Sequence, residues 1–177
     1  NWLAGEPRVI VSEIAGTTRD SVDVRIEKEG RIITLIDTAG VRKKKSWDGD
    51  IEFYANTRTA DAIARCDVAW LLLDATEKST QIEKTLAMQL AESFKPTLIT
   101  VNKLDLVQKT LKPADYQSYL TQEFPQLSYA PISFVSAKTG KGLRDTLALS
   151  FSMQEQAAHR EGTGKLNAAI KQILTER

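Results

Sequence analysis

Cysteine, long apolar runs and an excess of either charge are all scarce in this chain, and each scarcity excludes something. A single cysteine, Cys66, cannot pair within the chain, so the fold has to rest on its core. A helical pattern precedes that residue and an apolar run follows it, which predicts a buried free thiol and fits the reducing cytoplasm. The longest strongly apolar stretch, VAWLLL at 68–73, falls far short of the ~20 residues that a membrane span needs. The first residues show no signal-peptide pattern, and no membrane partner is expected. With 24 Lys and Arg against 23 Asp and Glu, the net charge is only +1. Bulk charge therefore points to neither nucleic acid nor lipid. What is present is ordinary globular usage, 42% hydrophobic and 27% charged over 177 residues. That is enough chain to bury a core as one compact domain, expected as a monomer.

Polar and apolar residues alternate through SVDVRIEKEG (21–30) and RIITLID (31–37) on either side of Glu29-Gly30, which predicts an antiparallel hairpin. Three short β-rich apolar runs follow, DVAWLLLD (67–74), PTLITVNK (96–103) and APISFVSA (130–137). Runs of that kind predict parallel strands buried on both faces. Between and after them the apolar spacing predicts helices over 51–65, 80–93, 113–123 and 143–158, with a terminal one within 162–177. Alternating strands and helices imply right-handed crossovers and a doubly wound α/β sheet. No repeat or linker divides the chain.

Ligands of such sheets sit outside the carboxyl ends of the strands, and three polar constellations fall there: DTAG (37–40), NKLD (102–105) and SAKTG (136–140). In NKLD, Asp105 can offer a carboxylate to the paired N–H donors of guanine, which adenine lacks. A site built on such bonds leaves buried groups unpaired when the base is wrong, and can discriminate by ~10⁴-fold. Asn102 can tie neighbouring loops, and the aliphatic stem of Lys103 can cover the base face. In SAK, the Ala137 backbone N–H can meet the guanine carbonyl, Ser136 can brace Asp105, and Lys138 completes the triplet. In DTAG, Asp37 suits a magnesium ion held through water, and Gly40 lets its N–H approach a γ-phosphate. Thr38 and Ala39 lie between them. The basic segment VRKKKSWDGD after DTAG has little apolar anchoring and reads as a mobile loop. Taken singly, each motif is equally an ordinary turn or a helix start.

Their order, with IAGTTRD (14–20) ahead of them, is that of the GTPase superfamily. From GEPRVIVSEIAGTTRDS through LIDTAGVRKKK, DIEFYANTRTADAIARCDV and NKLDL to GTGKLNAAI, the chain closely resembles the second GTPase domain of the Der (EngA) family of bacterial ribosome assembly. DTAG rather than DTPG argues against the Era branch. The tRNA-modifying MnmE family shares GTTRD and DTAG, but its cysteine-bearing tail is absent; it stands as an alternative, as does a non-catalytic GTPase-like interaction module. The resemblance implies a three-layer α/β sandwich of the P-loop-NTPase type, mostly parallel with one antiparallel edge hairpin, binding GTP or GDP. It implies Thr18 and Asp37 at magnesium, with Gly40 at the γ-phosphate. It further implies potassium bound by Ser12, the Ile14 carbonyl and Thr17. Partners implied for the full-length protein are the large ribosomal subunit and its rRNA.

One signature is missing. A phosphate cradle reads G-x-x-x-x-G-K-[ST], yet Gly140-Lys141 and Gly164-Lys165 are followed by Gly142 and Leu166, and neither has a glycine five positions ahead of its own. In the resembled family the cradle, and with it the first strand, lies just before the stretch matching NWLAGEPRV, and a KH-like RNA-binding domain follows the last helix. The expectation is a single partial GTPase domain, shortened at both ends, which binds GTP poorly, hydrolyses none and is marginally stable. Val41 stands where many GTPases carry a glutamine, so no side chain at that position can orient the attacking water.

Overall fold

The computed structural model describes residues 23–28, 30–36, 59–107 and 112–175. The first two strands are β1 (Val24–Lys28) and β2 (Arg31–Leu35), an antiparallel pair in which Lys28 faces Arg31. That register leaves a two-residue turn. Its second residue, Gly30, sits at φ +73°, a conformation open to glycine at little cost. Residues 59–65 are helical (α1); the remainder of the helix predicted over 51–65 lies outside the described residues.

Strand β3 (Ala69–Asp74), helix α2 (Gln81–Glu92) and strand β4 (Thr97–Asn102) form the first crossover unit. A one-turn helix α3 (Leu104–Val107) and helix α4 (Pro113–Glu123) lead to strand β5 (Ile132–Phe134), followed by α5 (Leu143–Ala158) and α6 (Thr163–Thr175). The strands pair in parallel in the order β3-β4-β5, with Leu71 opposite Ile99 and Thr100 opposite Ser133. Helix starts follow local rules. Glu83 accepts the Thr80 backbone N–H at 2.5 Å ahead of α2, the reciprocal half of a capping box. Pro113 opens α4 where its missing N–H costs nothing. The one-turn α3 and a 3₁₀ turn at Pro125–Leu127 are too short to leave a periodic signal.

The core lies between the sheet and α2 and α4, where Leu71, Leu73, Leu90, Val101, Leu120 and Phe124 are buried together. β4 is buried on both faces, as expected of a central strand: Thr97 through Val101 are all inaccessible. β3 and β5 are not, which corrects the expectation for those two runs. Each flanks β4 on one side only among the described residues, and Leu72 is 56% exposed. On this same face, away from Leu71 and Leu73, the Trp70 indole N–H donates to Ser150 Oγ at 2.7 Å, which fastens α5 to β3. The hairpin reaches α5 through Arg31, paired with Glu155 at 3.0 Å and lying 4.4 Å from the Phe151 ring. Cys66, predicted buried, is only half-buried. It terminates α1 rather than entering the core, donating Sγ–H to the Ile63 carbonyl at 3.3 Å. Burial pushes its thiol up, which disfavours the thiolate. No helix among the described residues is long and apolar enough to cross a membrane.

Candidate functional site

The carboxyl ends of the three parallel strands converge on one surface. β3 finishes at Asp74 and β4 at Asn102, directly opposite each other in register. The Ala75 backbone N–H donates to the Asn102 carbonyl at 2.9 Å, and the Leu104 N–H to the Val135 carbonyl at 3.0 Å. These two bonds stitch the loops after β3, β4 and β5 side by side. NKLD and SAK, separated by some thirty positions in sequence, thus become neighbours because β4 and β5 are adjacent and parallel.

Two cross-links then fix their side chains. The Ala137 N–H donates to Asn102 Oδ1 at 2.9 Å, and the Ser136 hydroxyl donates to Asp105 Oδ1 at 2.6 Å. Ser136 is itself 1% exposed, and its Oγ accepts the Thr139 N–H at 3.2 Å. Its backbone N–H goes to the Lys141 carbonyl, and its carbonyl takes the Gly140 N–H. A buried hydroxyl with donor and acceptor both engaged holds a single rotamer. Asp105 is thereby aimed, yet each carboxylate oxygen has two acceptor sites. The Ser136 bond leaves capacity on both for a planar pair of donors. The Ala137 N–H, which the sequence offered to a base carbonyl, is given instead to Asn102. A carbonyl approaching it would share that N–H or replace the Asn102 oxygen.

Lys103 occupies the centre of the surface at φ +64°, a left-handed conformation uncommon for a residue with a Cβ. Its Nζ pairs with Asp74 Oδ2. The other carboxylate oxygen, Asp74 Oδ1, accepts the Thr76 backbone N–H at 2.9 Å and the Thr76 hydroxyl at 2.7 Å. Partial burial pushes the Asp74 carboxyl up, but the bonds from Lys103 and Thr76 outweigh it and hold the group below its usual value. Asp74 in turn raises the Lys103 ammonium. Lys138 is exposed beside this cluster.

Gly142 supports the arrangement from beneath. It starts α5 at φ +76°, and a Cβ there would lie 2.4 Å from the Phe134 carbonyl oxygen. Only glycine lets the loop carrying Ser136 and Ala137 return this close to β5. Asp74 and Gly142 were not singled out in the sequence as site residues, and Thr139 entered only as part of SAKTG. Asp74 had the clearest signal, an acidic residue closing an apolar strand, the same feature that drew attention to Asp37.

Ser12, Ile14, Thr17, Thr18, Asp37, Thr38, Ala39 and Gly40 lie outside the described residues, as does the lysine run at 43–45. The magnesium and potassium assignments therefore rest on the sequence alone. Among the described residues there is no group of three or more His, Cys, Asp or Glu side chains able to hold a metal.

Residues 1–103 match the family model described as 50S ribosome-binding GTPase. The chain belongs to that GTPase family. It is similar to GTPase Der of Rhodopirellula baltica, 40% identical over 176 residues that make up 99% of this chain and 39% of that protein. GTPase Der of Sulfurihydrogenibium sp. is 44% identical over 174 residues, 98% of this chain and 39% of that protein. The chain thus spans about two fifths of the length of the curated relatives it matches. Two solved structures share the fold. Translation elongation factor SelB of Methanococcus maripaludis, in complex with the GTP analogue GppNHp, gives a TM-score of 0.58 at 21% identity over 82% of this chain and 30% of its own. The cytosolic domain of the T. maritima FeoB iron transporter in apo form gives 0.60 at 20% identity over 97% of this chain and 65% of its own. The fold is the GTPase-type α/β fold, with a parallel three-stranded sheet and an antiparallel hairpin among the described residues.

Proposed function

We propose that this chain is the guanine-reading part of a GTP-hydrolysing switch that acts in assembly of the large ribosomal subunit in the bacterial cytoplasm. The observation that carries the reading is the pair of cross-links Asn102 to Ala137 and Ser136 to Asp105, which builds one polar surface from two loops. On that surface Asp105 accepts the N1–H and N2–H of guanine, and Ser136 keeps its carboxylate in plane with them. The Ala137 N–H, held by Asn102 Oδ1, is the donor that the base carbonyl would share or take over. Adenine presents no such donor pair, so it leaves Asp105 desolvated and unpaired.

The family and the GTPase Der relatives support nucleotide hydrolysis in the whole protein and do not favour the tRNA-modifying alternative. In that setting Asp37 and Thr18 suit magnesium and Gly40 the γ-phosphate. Ser12, Ile14 and Thr17 supply the hard oxygens that suit potassium. Metal ions there would neutralise charge developing on the phosphates. Equal hydrolysis rates in potassium and sodium, measured on a chain carrying its phosphate cradle, would count against the potassium assignment.

The base reading is testable on the 177-residue chain with nucleoside monophosphates, which do not depend on a phosphate cradle. Amide shifts of Asp105 and Ala137 in ¹⁵N–¹H spectra should saturate with millimolar GMP and respond far less to AMP. Matching responses to the two nucleotides would remove the reading.

A further inference from the structure

We infer that Asp74 is a positioning residue of the guanine surface, holding the ammonium of Lys103 so that the lysine stem stands as a preset wall for the base. This rests on the guanine reading above and deepens it: none of the recognised motifs includes Asp74.

Lys103 is anchored at both ends. Its backbone is pinned between Asn102, bound to the Ala137 N–H, and Asp105, bound to Ser136. Its Nζ is pinned by Asp74 Oδ2 on the neighbouring strand. Asp74 in turn cannot swing, because Thr76 donates both its N–H and its hydroxyl to Oδ1. The four-carbon stem is therefore stretched between fixed points along the surface that Asp105 and Ala137 face, and the side chain remains 49% exposed. A lysine has much rotamer freedom to lose when a ligand packs on it. Here that freedom is surrendered before the ligand arrives, which is the condition for affinity gained through preorganisation. The left-handed backbone at Lys103 points the same way, since such a conformation persists only where its surroundings over-determine it.

An ordinary surface ion pair would have the same distance but none of these consequences. The two are separated by GMP titration of the 177-residue chain and its variants. For the wild type, a transferred NOE should connect guanine H8 to the Lys103 methylenes. Asp74→Asn should weaken GMP binding roughly two- to fivefold, the range of a partly exposed pair, and should abolish that NOE at saturating GMP. Thr76→Ala should act in the same direction and serves if the Asp74 variant fails to fold. In a Lys103→Met background, which keeps a stem without the ammonium, Asp74→Asn should have no further effect. Unchanged affinity and NOE in Asp74→Asn, or a full additional loss in the Lys103→Met background, would overturn the positioning role and leave the guanine reading standing. A wild type that does not prefer GMP to AMP would overturn both.

Discussion

Gly142→Ala offers the sharpest test of how the surface is built, because the structure separates its two costs. The first is conformational: at φ +76° an L-residue loses about 1–2 kcal/mol relative to glycine. The second is steric. The new Cβ would sit 2.4 Å from the Phe134 carbonyl oxygen and 3.4 Å from Val135 Cγ1. The close partner is backbone in β5, so relief requires moving the strand or the start of α5, which costs a further ~1–3 kcal/mol. The sum, about 2–5 kcal/mol, is a large share of the ~5–15 kcal/mol that stabilises a typical domain. Gly30→Ala is the internal control. Its φ is +73° but nothing lies within 4 Å of the added Cβ, so only the conformational cost remains. Urea unfolding of both variants against the wild type reads the difference directly from the midpoints. Gly142→Ala should also weaken the GMP-induced shift of Ala137, since the moved segment carries the Lys141 carbonyl that accepts the Ser136 N–H. Equal losses for the two glycines, or a Gly142→Ala loss below about 1 kcal/mol, would refute the close-approach argument.

Asp105→Asn keeps an oxygen for the Ser136 hydroxyl but replaces the second acceptor with a donor. It should cost GMP binding about 10-fold or more, the worth of a charge-assisted bond, and shift preference toward XMP, whose C2 carbonyl accepts; competition NMR with the two nucleotides measures it. Phe124→Ala removes a fully buried ring packed with Leu120 and Leu127, and should lower unfolding free energy by about 3–5 kcal/mol in the same urea assay. Acid should weaken the Asp74–Lys103 pair. The Asp74 carboxyl is depressed below its ordinary value of 3.8, so its stabilising contribution is complete above that pH and is lost as pH falls through the folded-state value. The stability difference between wild type and Asp74→Asn should therefore shrink below pH 4, on the order of that ordinary carboxyl value, and a constant difference down to acid would contradict the assignment.

The sequence carried the strands and long helices well because each has a period or a length that survives without context. Helices α4 and α5 run over 113–123 and 143–158, as the spacing predicts. β4 reads as a central strand because Thr97 to Val101 contain no charge. The exposure of Leu72 was hidden, since whether a neighbouring strand or helix covers β3 is a property of the sheet and not of the run VAWLLL. Cys66 misled for a related reason: its apolar neighbours belong to two elements, and it lies at their junction. In the site, motif residues Asn102, Asp105 and Ser136 were visible as types suited to a base edge. The Ser136 brace on Asp105 was legible as well; the Ala137 partner of Asn102 was not, because that hydrogen bond spans 35 positions and exists only once β4 and β5 lie side by side.

That dependence says how the two halves of the surface are stabilised. Apart from the Thr139 N–H on Ser136 Oγ, NKLD and SAK are fixed by each other, through Asn102 to Ala137 and Ser136 to Asp105. The geometry proposed to read the base is then tied to the β4–β5 pairing and to the close approach at Gly142. Loosening any one of these loosens the rest, so their substitution effects should be non-additive. Lys103 is the exception, since its outer end is held from β3 through Asp74. The surface thus draws on all three of the described parallel strands: in the proposed reading β4 and β5 carry the groups that would meet the base edge, and β3 holds the lysine wall through Asp74.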